Sequence, residues 1–351
     1  MASSASGQAT RRAVRSAERR RPVMADVARL AGVSHQTVSR VVNDHPNVRP
    51  QTRDLVLAAI SKLAYRPNAA ARTLVTRRTH MLGVISCDTD LFGPASMLYG
   101  IEQAAAGGYF VTVASLPALD HGLAVEAVER LLSQGVEGVI VIAPSTSAVA
   151  ALRGVPAEVP LVAVGCGTSA PLASATVDNT AGAATATGYL LSLGHATVHY
   201  VGGPASSLDG REREAGWRQA LAEAGAVQPE LLAGDWSSRS GFEAGRKLAA
   251  LPEVSAVFCA NDQMALGVLR AMAEHPRAVP AEVSVVGFDD VPEAGYFLPP
   301  LTTVRQDFGE LGRRAVRLLV ETIAGTAPEC PRPPVGTELI IRASAAAPPK
   351  T

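Results

Sequence analysis

Asp26-Val-Ala-Arg-Leu-Ala-Gly-Val-Ser-His-Gln-Thr-Val-Ser-Arg-Val-Val-Asn43 sets two short amphipathic patterns on either side of a turn. Just upstream and within it, Met24, Val27, Ala28 and Ala31 recur at helical spacing and stop at Gly32, a residue suited to end a helix. Ser34 can accept a first-turn N–H through its hydroxyl, and opens a second helix over 35–42 with Val38, Val41 and Val42 inward. Ala28 and Val38 are small enough for the two helices to cross closely. Pro50 suits the first turn of a third helix that runs to about residue 63, with Leu55, Ala59 and Leu63 inward. The second helix then turns His35, Gln36, Ser39 and Arg40 outward. Amide and guanidinium groups make bidentate contacts with adenine and guanine edges in the major groove. A polar helix face can be plain solvated exterior, but the turn, the spacing and the local charge point to DNA.

Charge supports that reading. The chain has 351 residues and a formal net charge of zero, yet residues 1–78 hold 15 Arg and Lys against 4 Asp and Glu, and the remainder is acidic by the same amount. Phosphate neutralisation needs cations locally, so a polyanion should meet one end only. Residues 1–21, rich in Ser, Ala and Arg without periodicity, are expected to be a disordered basic tail. A helical head spans 22–67. Residues 68–76 follow as a hinge whose eight-residue helix (68–75) is too short to be stable alone, since isolated helices below about 12–15 residues are marginal in water.

From residue 77 the chain alternates apolar runs with amphipathic stretches. Strands are expected at 82–86, 110–114, 138–142, 161–164, 197–201, 256–259 and 283–288. Helices are expected at 97–106, 124–133, 181–193, 211–224, 241–250 and 263–274. Such alternation implies parallel sheets covered by helices, and this number of strands suits two sheets better than one. Ligands of such sheets bind beyond the carboxyl ends of the strands, hence in a cleft between two subdomains. The body is expected to end near 345, with 346–351 a disordered tail. Cys87, Cys166, Cys259 and Cys330 lie far apart without a C-x-x-C pair, and His195 and His199 sit at the start of an apolar strand, so no metal and no cofactor is expected. No apolar run spans a bilayer and no signal-peptide pattern is present, so a cytoplasmic protein without a membrane partner is expected.

The helix-turn-helix segment closely resembles the lactose-repressor (LacI/GalR) family of bacterial transcription regulators. The likeness continues through Asn68, Ala71 and Leu74. It runs on through Gly234-Asp-Trp-Ser-Ser-Arg-Ser-Gly-Phe242, Ala260-Asn-Asp-Gln-Met-Ala-Leu-Gly267, Val286-Gly-Phe-Asp-Asp290 and Pro299-Pro-Leu-Thr-Thr-Val-Arg-Gln-Asp-Phe308. These body motifs are most like the family's eponymous member. The resemblance implies a small all-α head and an α/β body like a periplasmic binding protein, with two parallel-sheet subdomains. It implies that His35, Gln36 and Arg40 meet base edges of a pseudo-palindromic double-stranded operator. Ser34, Thr37, Ser39 and Asn43 would contact phosphates or brace the helix, and Leu74, beside Asn68 and Ala71, would wedge into the minor groove. It places Arg213, Trp236, Asn261, Asp289, Gln306 and Phe308 around a small effector, expected to be a sugar. The implied protein is a repressor whose operator affinity an effector controls.

The chain also departs from the family's pattern. Val23 replaces a hydroxyl cap, so the first helix is expected to fray at its start, and Ala25 replaces an aromatic phosphate contact. In the pocket Gly165 and Ala118 stand where an acid and an arginine are found in the eponymous member, and Asp209 replaces a serine. Galactoside specificity therefore does not transfer. The chain ends without a heptad helix, so a homodimer is expected.

The residues themselves also suit a sugar: Trp236 offers an aromatic face, and Arg213, Asn261 and Asp289 offer hydrogen-bonding groups. Taken singly, Trp236 is as well read as a core or rim aromatic, and Asp289 as a cap or ion-pair residue. Two other classes fit the sequence less well than a regulator does. An enzyme lacks support, since no G-x-S-x-G, P-loop or supported carboxylate pair is present. A transport binding protein would need export and has no use for residues 24–75.

Overall fold

The computed structural model describes residues 22–42, 45–65, 78–117, 120–152, 155–156, 158–167, 173–327 and 332–349. The basic tail 1–21, Asn43, the hinge with Asn68, Ala71 and Leu74, Ala118 and Cys330 lie outside the described residues. Two compact units divide between Thr79 and His80.

The first unit holds α1 (Met24–Ala31), α2 (His35–Val42) and α3 (Pro50–Leu63). Gly32 takes φ +66°, a left-handed turn that ends α1 and that residues with a Cβ resist. Ser34 caps α2, its Oγ accepting from Thr37 N at 3.1 Å. Val27, Ala28, Val38, Val41, Val56, Ala59 and Tyr65 form the core. Leu55 does not join it and is 58% exposed. The inward stripe of α3 is Val56, Ala59, Ile60 and Leu63, which follows the i, i+3, i+4, i+7 spacing that Leu55 breaks. Nor is the start of α1 left open: the Asp26 carboxylate accepts from Val23 N at 3.0 Å, half of a capping box, and replaces the missing hydroxyl.

The second unit is built on two sheets, each in a lobe of its own. One has the order β2-β1-β3-β4-β5, all parallel, from β1 (Met81–Cys87), β2 (Phe110–Leu116), β3 (Gly138–Ile142), β4 (Leu161–Val164) and β5 (Ser174–Ala175). The other has the order β11-β10-β9-β8-β6-β7, from β6 (His199–Gly202), β7 (Leu232–Ala233), β8 (Ala256–Cys259), β9 (Ser284–Asp289), β10 (Thr302–Gln306) and β11 (Thr337–Ile340). Its edge strand β11 runs antiparallel to β10, unlike the rest. The helices are α4 (Phe92–Ala105), α5 (His121–Ser133), α6 (Thr146–Leu152), α7 (Asn179–Ser192), α8 (Leu208–Glu223), α9 (Ser238–Ala249), α10 (Asp262–Glu274) and α11 (Phe308–Ala324). The chain passes between the lobes after β5, after β10 and again before β11. Near the first passage, Val177 bridges to Val335. A further tie joins the lobes where Leu208 N donates to Pro144 O at 2.9 Å.

Strands β5, β7, β10 and β11 and helices α6 and α11 escape the periodicity of the sequence. Strand β10 buries Thr302 and Thr303, which are tolerated because Arg342 N donates to Thr302 Oγ1 and Thr303 Oγ1 donates to Asp262. The end of the chain is no free tail through 349: Ala346 N donates to Ser284 Oγ at 3.0 Å, and the Ala346 carbonyl accepts from the Ser284 hydroxyl at 2.9 Å. Buried His195 faces the same carbonyl at 3.0 Å and Ser255 Oγ at 2.9 Å, and burial lowers its pKa, so it is a neutral structural clamp. Cys87, Cys166 and Cys259 are free and buried. Among the described residues no group of His, Cys, Asp and Glu could hold a metal, and no helix is long and apolar enough to cross a membrane.

Candidate ligand cleft and nucleic-acid interface

On the head, His35, Gln36 and Arg40 are exposed along one side of α2, while Ser39 is half-buried. Thr37 is also half-buried because its hydroxyl lies 2.9 Å from Ser34 Oγ. The capped start of α2 therefore offers an imidazole, an amide and a guanidinium to solvent, with the hydrophobic side spent on the core. Such a face is free to enter a groove without disturbing the fold.

In the second unit a cavity of about 310 Å³ opens at the carboxyl ends of the strands. Its wall comes from the segments after β1, β3, β6, β7, β8, β9 and β10, and so from both sheets, where open α/β sheets place their ligands. Arg213, Trp236, Asn261, Asp289, Gln306 and Asp209 all reach it. Phe308 does not. As the first residue of α11 it packs edge-on against Phe92 at 5.9 Å between ring centres, so it backs the wall instead of forming it.

Three wall residues, Asp88 (φ 52°), Trp236 (φ 73°) and Asp289 (φ 110°), adopt the left-handed region that side chains avoid. Strain of this kind persists only where the surroundings over-determine it, and it gathers at ligand sites. The surroundings are visible for Trp236. Its ring lies so flush on Gly203 that a Cβ there would stand 2.4 Å from ring carbons, and its carbonyl accepts from Asn261 Nδ2 at 3.0 Å. Asn261 also caps α10, accepting from Met264 N at 2.9 Å, so much of its work is to hold Trp236.

Arg213 is the centre of the buried polar groups. Its Nε donates to Asn179 Oδ1 at 2.8 Å, its Nη1 donates to the Ala260 carbonyl and lies 3.3 Å from Asp289 Oδ1, and its guanidinium covers the Phe288 ring at 3.9 Å. Gln306 Nε2 donates to the same Asp289 oxygen. Burial pushes the Asp289 carboxyl up, and the Arg213 charge pulls it back. Behind it, Asp262 accepts from Thr303 Oγ1 and from Val291 N at 2.8 Å, pinning the turn that carries Asp289. Burial and the nearby Asp289 charge push Asp262 up to about 8.

Sequence reasoning missed Asn179, which joins Arg213 to Asp209, and also Asp88, Phe92, Met97 and Gln263 on the wall. The Asp178-Asn179 pair at the head of a helix was the available signal, since Asp178 caps α7 and frees Asn179 to turn inward.

A capped, exposed recognition-type helix in one unit and a two-lobed polar cleft in the other define a ligand-responsive DNA-binding regulator. Comparison with known proteins gives its family. The model of bacterial regulatory proteins of the lacI family matches residues 23–68, and that of the periplasmic binding protein-like domain matches 187–345. The chain is 36% identical over 306 residues to the lactose operon repressor of Escherichia coli (strain K12), covering 86% of this chain and 85% of that one. It is 37% identical over 343 residues to the HTH-type transcriptional regulator CelR of Thermobifida fusca, covering 93% and 99%. The structure of a Lac repressor dimer bound to operator and an anti-inducer superposes with a TM-score of 0.81 at 33% identity, over 93% of this chain and 100% of that one. A CelR–cellobiose complex gives 0.67 at 33% identity, over 92% and 100%. The chain belongs to the lacI family of bacterial regulatory proteins and is a transcription regulator rather than an enzyme.

Proposed function

We propose that this protein is a cytoplasmic homodimeric repressor that binds a pseudo-palindromic operator through α2 and is controlled by a saccharide held in the cleft. The observation that carries the effector is the cleft itself: a half-buried aromatic, Trp236, beside a buried Arg213–Asp289–Gln306 group. An aromatic face packs on the C–H side of a pyranose while fixed polar groups pair with its hydroxyls, and a ligand that leaves them unpaired is rejected. The named ligand of a similar structure, cellobiose in the CelR complex, supports that class. His35, Gln36 and Arg40 are the groups for base edges, with Ser34, Thr37 and Ser39 bracing or meeting phosphates. Asn43, Asn68, Ala71 and Leu74 belong to the same proposal. Dimerisation is supported by the Lac repressor dimer and by Tyr296 and Leu298, which are 90% and 93% exposed.

Thermal-shift titration of the full chain with cellobiose, lactose and other neutral saccharides tests the reading, because a ligand of the native state raises the melting point. Trp236→Ala and Asp289→Asn should each abolish the shift and the ligand's effect on operator binding, while operator affinity without ligand stays at the wild-type value. Normal binding of the same saccharide by either variant would place the site elsewhere.

A further inference from the structure

The cleft wall carries more acceptors than donors. Among the described residues, Asp88, Asp90, Asp209, Asp235 and Asp289 line it with one guanidinium, Arg213, which is already taken up by Asn179, Ala260 and Asp289. Asp209, which is half-buried, stands apart from the buried groups. Asn179 Nδ2 donates to its Oδ1 at 3.1 Å, and among the described residues no donor reaches Oδ2. On the same wall Gln263 Oε1 is buried without a hydrogen-bond partner. The space in front of Asp209 is open because residue 165 is glycine, with φ +69°. A Cβ there would stand 3.9 Å from Asp209 Oδ2 and 3.4 Å from Met97 Cε. This corner is therefore bounded by α8 of one lobe and by α4 and the end of β4 of the other.

We propose that Asp209 reads the charge of the ligand: it accepts hydrogen bonds from the hydroxyls or the ammonium group of an uncharged or cationic saccharide, and excludes saccharides that carry a phosphate or carboxylate. This rests on the cleft being the saccharide site. A hydroxyl or ammonium group supplies the donors that Asp209 Oδ2 and Gln263 Oε1 lack. An anionic group supplies none and adds like charge where, among the described residues, four of the five wall carboxylates have no ion pair, and unpaired buried polar groups are what make discrimination large.

Titration offers a separate handle. Burial holds the Asp209 carboxyl at about 7, with Arg213 pulling it down and Glu212 and Asp289 pushing it up. The facing groups are Glu212 and Arg213 on α8, Asp289 on β9, neutral Asn179 on α7, and Cys166 after β4, whose thiol burial keeps at about 11 and hence uncharged. The ionised carboxylate is the stronger acceptor, so saccharide affinity should rise from pH 6 to pH 8.

Isothermal titration calorimetry on the full chain at pH 6 and pH 8 tests this, with cellobiose, lactose, glucosamine, glucuronate and glucose 6-phosphate as probes. At least one of the first three should bind, with the two anions roughly 100-fold weaker. Asp209→Asn and Asp209→Ser should each weaken the bound saccharide about tenfold or more and abolish its pH dependence. Glu243→Gln, the same charge change on exposed α9, should leave both unchanged. Circular dichroism and ligand-free operator binding identify any variant that has misfolded. Binding of a neutral probe with affinity and pH profile unaltered in both Asp209 variants overturns the proposal and leaves the saccharide reading standing. So does an anionic probe that binds wild type as tightly as the neutral one. If no probe binds wild type, the saccharide reading falls and takes this proposal with it.

Discussion

The head gathers its core between Val27 and Tyr65 and keeps its polar face in solvent, whereas the cleft draws its wall from loops spread between Asp88 and Gln306 and buries the groups that define it. In the head, Gln36 and Arg40 are exposed and the hydrophobic side of α2 does the folding. In the cleft, Arg213, Asp289 and Gln306 bond to one another in the interior, so the residues that would meet a ligand also hold the second lobe together. A regulator built this way can change what its head reads at little cost to folding. Changes to what it senses cost stability too.

The sharpest way to break that comparison is Arg213→Met. Removing one partner from a buried ion pair leaves Asp289 uncompensated and typically costs about 3–5 kcal/mol. Urea unfolding of the full chain should show the second unit destabilised by this order while the melting of the head is unmoved. A variant of wild-type stability that has lost only ligand binding would mean the group serves recognition alone. On the head the opposite result is expected. Gln36→Ala should lower specific operator affinity by about 1–3 kcal/mol, leave non-specific binding nearly unchanged and leave both unfolding transitions in place. Gel-shift titrations on operator and random duplex decide this, and equal losses on both would remove Gln36 from base reading.

The last test is pH. An acid whose folded pKa lies above its unfolded value favours the folded state in its protonated form. Its contribution is therefore complete below about pH 4, the unfolded pKa, and is lost as pH rises through the folded one. With Asp262 at about 8 and Asp209 at about 7, stability of the second unit should fall as pH rises from 5 to 8, each carboxylate contributing on the order of 1 kcal/mol per pH unit, and level off above pH 8. Asp262→Asn should flatten that slope. A second unit more stable at pH 8 than at pH 6 would show that both carboxylates are ionised in the native state.

How far the residues alone led differs between the two regions for the same reason. Gly32, Ser34 and the Val38–Val41–Val42 stripe act within a few positions of one another, so the turn, the cap and the exposed side of α2 were legible as spacing. Alternation of apolar runs likewise gave most strands of both sheets and put the cleft at their carboxyl ends. The phase of α3 was misjudged at Leu55, where a leucine one position out of register is indistinguishable from a core residue until the neighbouring helices are in place. Strand β10 was hidden because Thr302 and Thr303 are buried by hydrogen bonds that only distant Arg342 and Asp262 supply.

Local spacing and charge thus determined, by sequence alone, a helix-turn-helix head and a two-sheet body, and the resemblance to a family supplied several of the polar residues of its cleft. The tertiary structure decided which of these face the cleft. It turned Phe308 behind Phe92, brought Asn179 between Arg213 and Asp209, made Asn261 the support of Trp236 and, among the described residues, left Asp209 Oδ2 without a donor beside Gly165. Helical periodicity depends on neighbours three or four residues away. The balance of donors and acceptors on a cleft wall is set by segments over a hundred positions apart, and it exists only once both sheets have assembled.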